Sequence, residues 1–171
     1  MLEEVFFKGQ FIMKFLGEEL ERFESEIVSC SALPDMDELY EKFSIVPLKI
    51  FEDRMTITES YGYRDKNPFL QRLVTRRSPY AIRCTVQEYK IPYEGDERLF
   101  RLTTSPFPFY PYGRLEDGCF VFRIMEEEQN FLNDIKYQMT LLRICLDRTK
   151  ASVDCFNERL MERVRTVTGK A

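Results

Sequence analysis

The sequence predicts an α+β domain, a central and mainly antiparallel sheet of about five strands framed by long N- and C-terminal helices. Three observations predict it. Apolar residues recur at helical spacing through residues 1–30, alternate with polar ones between 46 and 125, and settle into a heptad pattern from 126 to 168. The chain has 171 residues, 44 % of them hydrophobic, which is enough to bury one core without disulfides or metal, so residues 1–171 are read as a single domain.

The first helix is expected over residues 1–30. Leu2, Val5, Ile12, Leu16, Leu20, Phe23 and Ile27 fall mostly three or four apart, and Phe6, Phe7, Phe11 and Phe15 widen that apolar face. Asp35 followed by Glu38 forms a capping-box pattern, which predicts a short helix over 36–43. From Val46 the period shortens. Leu48 and Ile50, then Met55 and Ile57, read as a hairpin turned at Glu52-Asp-Arg54. Residues 60–79 are polar and carry Gly62, Asn67-Pro68 and Ser78-Pro79, with room for one helical turn at Pro68–Val74. Strands are expected at Tyr80–Tyr93, where Ile82, Cys84, Val86 and Glu88 share a face, at Leu99–Thr103 and at Gly118–Met125.

The segment TSPFPFYPYGR, Thr104 to Arg114, sets prolines at 106, 108 and 111 among aromatic residues. Proline removes backbone donors, so this stretch is read as an extended strap along a sheet edge. Phe107, Phe109, Tyr110, Tyr112 and Arg114 are its candidate binding residues should it form a ridge on the surface.

From 126 to 168 there is no proline or glycine, and Leu132, Ile135, Met139, Leu142, Leu146, Thr149, Val153, Phe156 and Leu160 alternate steps of three and four. A helix over 126–168 is about 60 Å long, more than a compact domain of this size spans. Its seam is expected to be covered by the first helix as a hairpin, with the distal half left to pair with a second copy.

Composition narrows the chemistry. The chain contains no histidine, which removes the usual base of serine and cysteine hydrolases and the commonest zinc ligand. Its five cysteines form no CxxC pair and read as buried small hydrophobes of a reducing cytoplasm. A net charge of −4 argues against a chain devoted to wrapping nucleic acid. Charges at Glu3, Glu4, Lys8 and Lys14 break up the apolar start, so neither a signal peptide nor a membrane span is expected.

Two clusters offer chemistry. Glu88-Tyr-Lys90 lies on an expected strand and has the E-x-K form of metal-dependent nuclease sites, in which carboxylates hold the cation and lysine orients water. The earlier acid it needs would be Asp65 or Asp53. Acid-x-Lys triplets also arise by composition, as at Asp134-Ile-Lys136. Arg72, Arg76 and Arg77, with Arg83 and Tyr80, form a basic stretch that could hold a phosphate ligand or nucleic acid. No glycine-rich phosphate loop or serine elbow is present, and no cofactor is expected.

The run KIPYEGDERLFR from Lys90, then TSPFPFYP from Thr104 and Phe120-Val-Phe, resembles a family of uncharacterised bacterial proteins. In these a strand ending "IPF.GD..LF" leads to a proline-rich loop, another strand and a long charged helix. The resemblance covers roughly residues 45 to 165 and implies a structural motif with no catalytic residues, in a setting near anti-phage defence genes. The expected function is a non-enzymatic protein-binding or oligomerisation subunit, the sensor or scaffold of a cytoplasmic defence assembly. A nuclease using Glu88 and Lys90, and a nucleic-acid or phosphate sensor using the arginines, are the alternatives.

Overall fold

A computed structural model of the chain describes residues 4–29, 35–65, 80–104, 110–125 and 135–169. The architecture is α+β: among the described residues, three helices and a sheet whose longer strands are all antiparallel. The chain divides into two compact units. One comprises residues 1–4, 50–93 and 111–141, the other residues 5–49, 94–110 and 142–171.

The first unit is the sheet. Its strands are β3 (Thr56–Asp65), β4 (Ala81–Glu94), β5 (Tyr112–Glu116) and β6 (Cys119–Met125). Two-residue strands, β1 (Glu4–Val5) and β2 (Lys49–Ile50), fall where the chain passes between the units. The order is β1-β5-β6-β4-β2, and among the described residues β3 pairs with β4 alone. The β5–β6 hairpin turns at Asp117 and Gly118, both at positive φ (51° and 72°), as a tight two-residue turn requires.

Strand β4 is the spine. Cys84, Val86 and Glu88 take one face, as expected, joined by Lys90, but Tyr89 and Ile91 on the other face are also buried. Tyr89 lies opposite Phe122 of β6, and the rings stack with centroids 5.0 Å apart. Phe120, Phe122 and Ile124 complete this interior, and Val121 is buried on the opposite face.

Two strand expectations change. Residues 46–58 form no hairpin: Glu52–Arg54 is a 3-10 turn, and β3 runs on to Asp65 against β4. The reason is pairing length, since the β3–β4 register joins ten residue pairs from Thr56–Lys90 to Asp65–Ala81. Phe51 seals the end of this ladder by donating its N–H to the Pro92 carbonyl at 2.9 Å. The helical turn expected at Pro68–Val74 lies outside the described residues.

The second unit holds α1 (Ile12–Ser29), α2 (Met36–Phe43) and the C-terminal part of α3 (Ile135–Thr168). Helix α2 matches its expected bounds, although the Asp35 side chain makes no capping bond. The first helix is shorter than residues 1–30. Phe6 and Phe7 are buried against Phe100, Phe7 takes a φ of 58°, and its N–H donates to the Phe100 carbonyl. Gln10 and Ile12 then bond the backbone of Thr103, so neighbours distant in sequence hold the chain up to Phe11 out of the helix.

Leu99–Thr103 is likewise no strand. Asp96 accepts from the Arg98 amide and starts a 3-10 helix over Glu97–Arg101. Leu99 and Phe100 are consecutive and both fully buried, which an alternating strand cannot arrange against one core.

Along α3, Met139, Leu142, Leu146, Val153, Phe156 and Leu160 are buried and Ile135 is half-buried, while Leu132 lies outside the described residues. The seam continues through Val164 at 0 % exposure. Thr149 fits because its hydroxyl donates to the Cys145 carbonyl. Asn157 clamps the backbone of Ile45 from both sides, accepting its N–H at 3.0 Å and donating to its carbonyl at 2.8 Å. The expectation of a distal seam free for a second copy is corrected here: it is interior within one chain. Leu160→Ala is therefore expected to cost about 2–4 kcal/mol. The cost should be the same at low and high protein concentration in a urea titration; a seam that served only an interface between copies would make it concentration-dependent.

Candidate functional site

The E-x-K pair sits where β4, β5 and β6 run side by side. Register places Arg123 directly across from Glu88, Val121 across from Lys90, and Arg114 across from Val121, so Glu88, Lys90, Arg114 and Arg123 share one face. Glu116, two residues beyond Arg114, joins them.

The carboxylate of Glu88 is fully engaged. Its Oε2 accepts from Arg114 Nη2 at 2.9 Å and from Arg123 Nε at 2.8 Å, while Lys90 Nζ lies 3.7 Å from Oε1. Arg114 Nε also donates to Glu116 Oε2 at 2.7 Å, and Lys90 lies 3.6 Å from Glu116 Oε1. Three cations thus surround two carboxylates. Arg114 is buried, with 9 % of its side chain exposed, against 16 % for Glu88 and about a third for Lys90, Glu116 and Arg123.

Burial pushes the Glu88 carboxyl up, but hydrogen bonds and charge from Arg114 and Arg123 outweigh it and hold it below the usual carboxylate range. The bond from Arg114 likewise lowers Glu116. A carboxylate so held is a poor general base. It is also a poor metal ligand, because a cation would have to displace two guanidiniums. The β3 register puts Thr58 opposite Glu88, places Asp65 seven rungs away, and leaves Asp53 in the preceding 3-10 turn. Neither acid needed by the nuclease reading reaches Glu88, and among the described residues no group of three metal-binding side chains forms.

Other expected site residues are dispersed. Arg72, Arg76, Arg77, Phe107 and Phe109 lie outside the described residues. Tyr110 and Tyr112 are half-buried. Arg114, expected on a partner-facing ridge, is instead interior to the charged cluster, because the Asp117-Gly118 turn fixes the register that turns it inward. Among the cysteines, Cys84 and Cys145 are buried as expected, whereas Cys119 is half-buried and Cys155 exposed. Burial pushes the Cys145 thiol up to about 11, which makes it a poor nucleophile.

Sequence reasoning passed over the outer edge of the sheet. Among the described residues β3 pairs only with β4, and Thr56 to Tyr61 are all exposed. Ile57 and Tyr61 are 57 % and 66 % exposed, and they lie on one face of the strand. The Arg83 guanidinium sits over the Tyr61 ring at 4.3 Å, with Arg83 and Tyr63 directly opposite in the register. The signal was available: ten residues, TITESYGYRD, carry neither proline nor lysine, the residues that usually blunt a sheet edge.

No protein-family model matches this chain, and neither the search of curated proteins nor that of solved structures returns a match. No helix among the described residues is long and apolar enough to cross a membrane.

Proposed function

We propose that this protein is a non-enzymatic binding subunit that docks a protein partner along β3. One observation carries the reading: a ten-residue strand that, among the described residues, is bonded on a single side and exposes Ile57 and Tyr61 on one face. Such an edge offers a row of backbone donors and acceptors to an added strand, and alternate side chains supply specificity. The neutralised Glu88 cluster supports the same reading, since it ties β4, β5 and β6 together and leaves no free carboxylate there for catalysis. The resemblance to bacterial proteins near defence genes suggests the setting: a sensor or scaffold within such an assembly.

A photoreactive residue at Tyr61 tests this, beside one at Val28, which is 87 % exposed on α1. In the native cell, discrete protein adducts are expected from position 61 and not from 28. Equal labelling at both sites would overturn the reading. So would Mg²⁺- or Mn²⁺-dependent cleavage of nucleic acid by the purified chain that disappears in Glu88→Ala.

A further inference from the structure

Resting on that reading of β3, we infer that the strand's partner is a second copy of this chain, joined antiparallel, β3 to β3, across a twofold axis normal to the sheet. Such an axis keeps each side chain on its own face and sets residue i opposite residue j with a constant sum, so a strand can pair with itself only if its pattern tolerates its own reversal. β3 does. Centred on Ser60, the ladder sets Glu59 against Tyr61, Ile57 against Tyr63 and Thr58 against Gly62. Centred on Tyr61, it sets that ring against its copy, Glu59 against Tyr63 and Ser60 against Gly62.

In neither register does Glu59 meet another carboxylate. Charge excludes a ladder centred on Glu59, and pairing length favours the two central registers, which join the most residues of Thr56–Asp65. The two faces also sort themselves. Ile57, Tyr61 and Tyr63 of both copies, with Glu59 among them, would meet on one side, and the small hydroxyl residues Thr56, Thr58 and Ser60 on the other. Aromatic–aliphatic and hydroxyl–hydroxyl neighbours are favourable cross-strand pairs. The joined edge would cover Ile57 and Tyr61, the most exposed large apolar side chains of the strand. The partner site is thus the strand itself, and the product is one continuous sheet through two copies.

The test is the mass of the full chain in solution across a wide concentration range, for wild type and Tyr61→Glu. Wild type is expected to pass from monomer to dimer, and Tyr61→Glu to dimerise at least tenfold more weakly with an unchanged circular-dichroism spectrum. Glutamate at 61 meets Glu59 in one register and its own copy in the other. Adding Glu59→Lys should restore dimers in the Ser60-centred ladder and not in the Tyr61-centred one.

A second arm does not depend on charge. In a Cys155→Ser background, Ser60→Cys or Tyr61→Cys should form an interchain disulfide on mild oxidation, and Val28→Cys should not. A chain that stays monomeric at every concentration and yields no crosslink at either central position overturns self-pairing. A dimer indifferent to Tyr61→Glu overturns it as well. Monomers that still give adducts with a different protein from position 61 sink self-pairing and leave strand docking standing; absence of both sinks both.

Discussion

Gly95→Ala is expected to be strongly destabilising. Gly95 has a φ of 110°, which lies beyond even the left-handed helical region and is reached comfortably only without a Cβ. An added Cβ would stand 2.4 Å from the Pro47 carbonyl oxygen and 2.9 Å from the Leu48 Cα, both backbone atoms that cannot swing aside. The next residue fixes the geometry, because the Asp96 N–H donates to the Val46 carbonyl at 3.0 Å. Strain and overlap together are expected to cost about 3 kcal/mol or more. Gly118→Ala separates the two effects, since Gly118 also has positive φ (72°) but nothing within 4 Å of the new Cβ. It should cost only about 1 kcal/mol. Urea titrations of both variants decide the point; similar losses would mean that the approach to Pro47 contributes nothing.

That turn also shows what local pattern could and could not reveal. Helix α2, strands β4 and β6, and the buried stripe of α3 were legible because each is written in the spacing of its own residues. The failures lie where a distant segment overrides local preference. Phe6 and Phe7 carry helical spacing, yet Phe100, far along the chain, draws them out of the helix. Leu99 and Phe100 show no alternation, because they are adjacent and both buried while Glu97, Arg98 and Arg101 of their 3-10 helix are exposed. The expectation that the distal half of α3 is left to pair with a second copy failed for a related reason. Period alone shows that the stripe on α3 needs cover; it cannot say that the same chain supplies it.

The candidate site was half legible. Glu88 and Lys90 were visible as a pair on a strand, but their meaning depends on Arg114, Glu116 and Arg123, which register alone brings across. The Asp-Gly pair at 117–118, between alternating strands, was the available signal for that register. The exposed edge of β3 was hidden for another reason: a strand's edge status depends on which neighbours pair, and that is not a local property.

Arg114→Ala is expected to destabilise the sheet by about 2–4 kcal/mol, because it strips Glu88 of a partner in a site that water barely reaches. Replacing both Glu88 and Arg114 by leucine should cost less than the sum of Glu88→Leu and Arg114→Leu, since no charge is then left facing a missing partner. Acid gives an independent reading. The folded carboxyl of Glu88 titrates below its unfolded range of about 4.3, so its contribution is present above that range and is lost as pH falls through the lowered value. Stability should therefore decline on the acid side, and Glu88→Gln should flatten part of that decline while lowering stability at neutral pH. If the cluster were instead built for a divalent cation, Mg²⁺ or Mn²⁺ would raise the melting temperature of the wild type and leave Glu88→Ala unmoved. With two guanidiniums already on the carboxylate, the expected shift is none, and a clear one would mean that Arg114 and Arg123 hold the place of a metal.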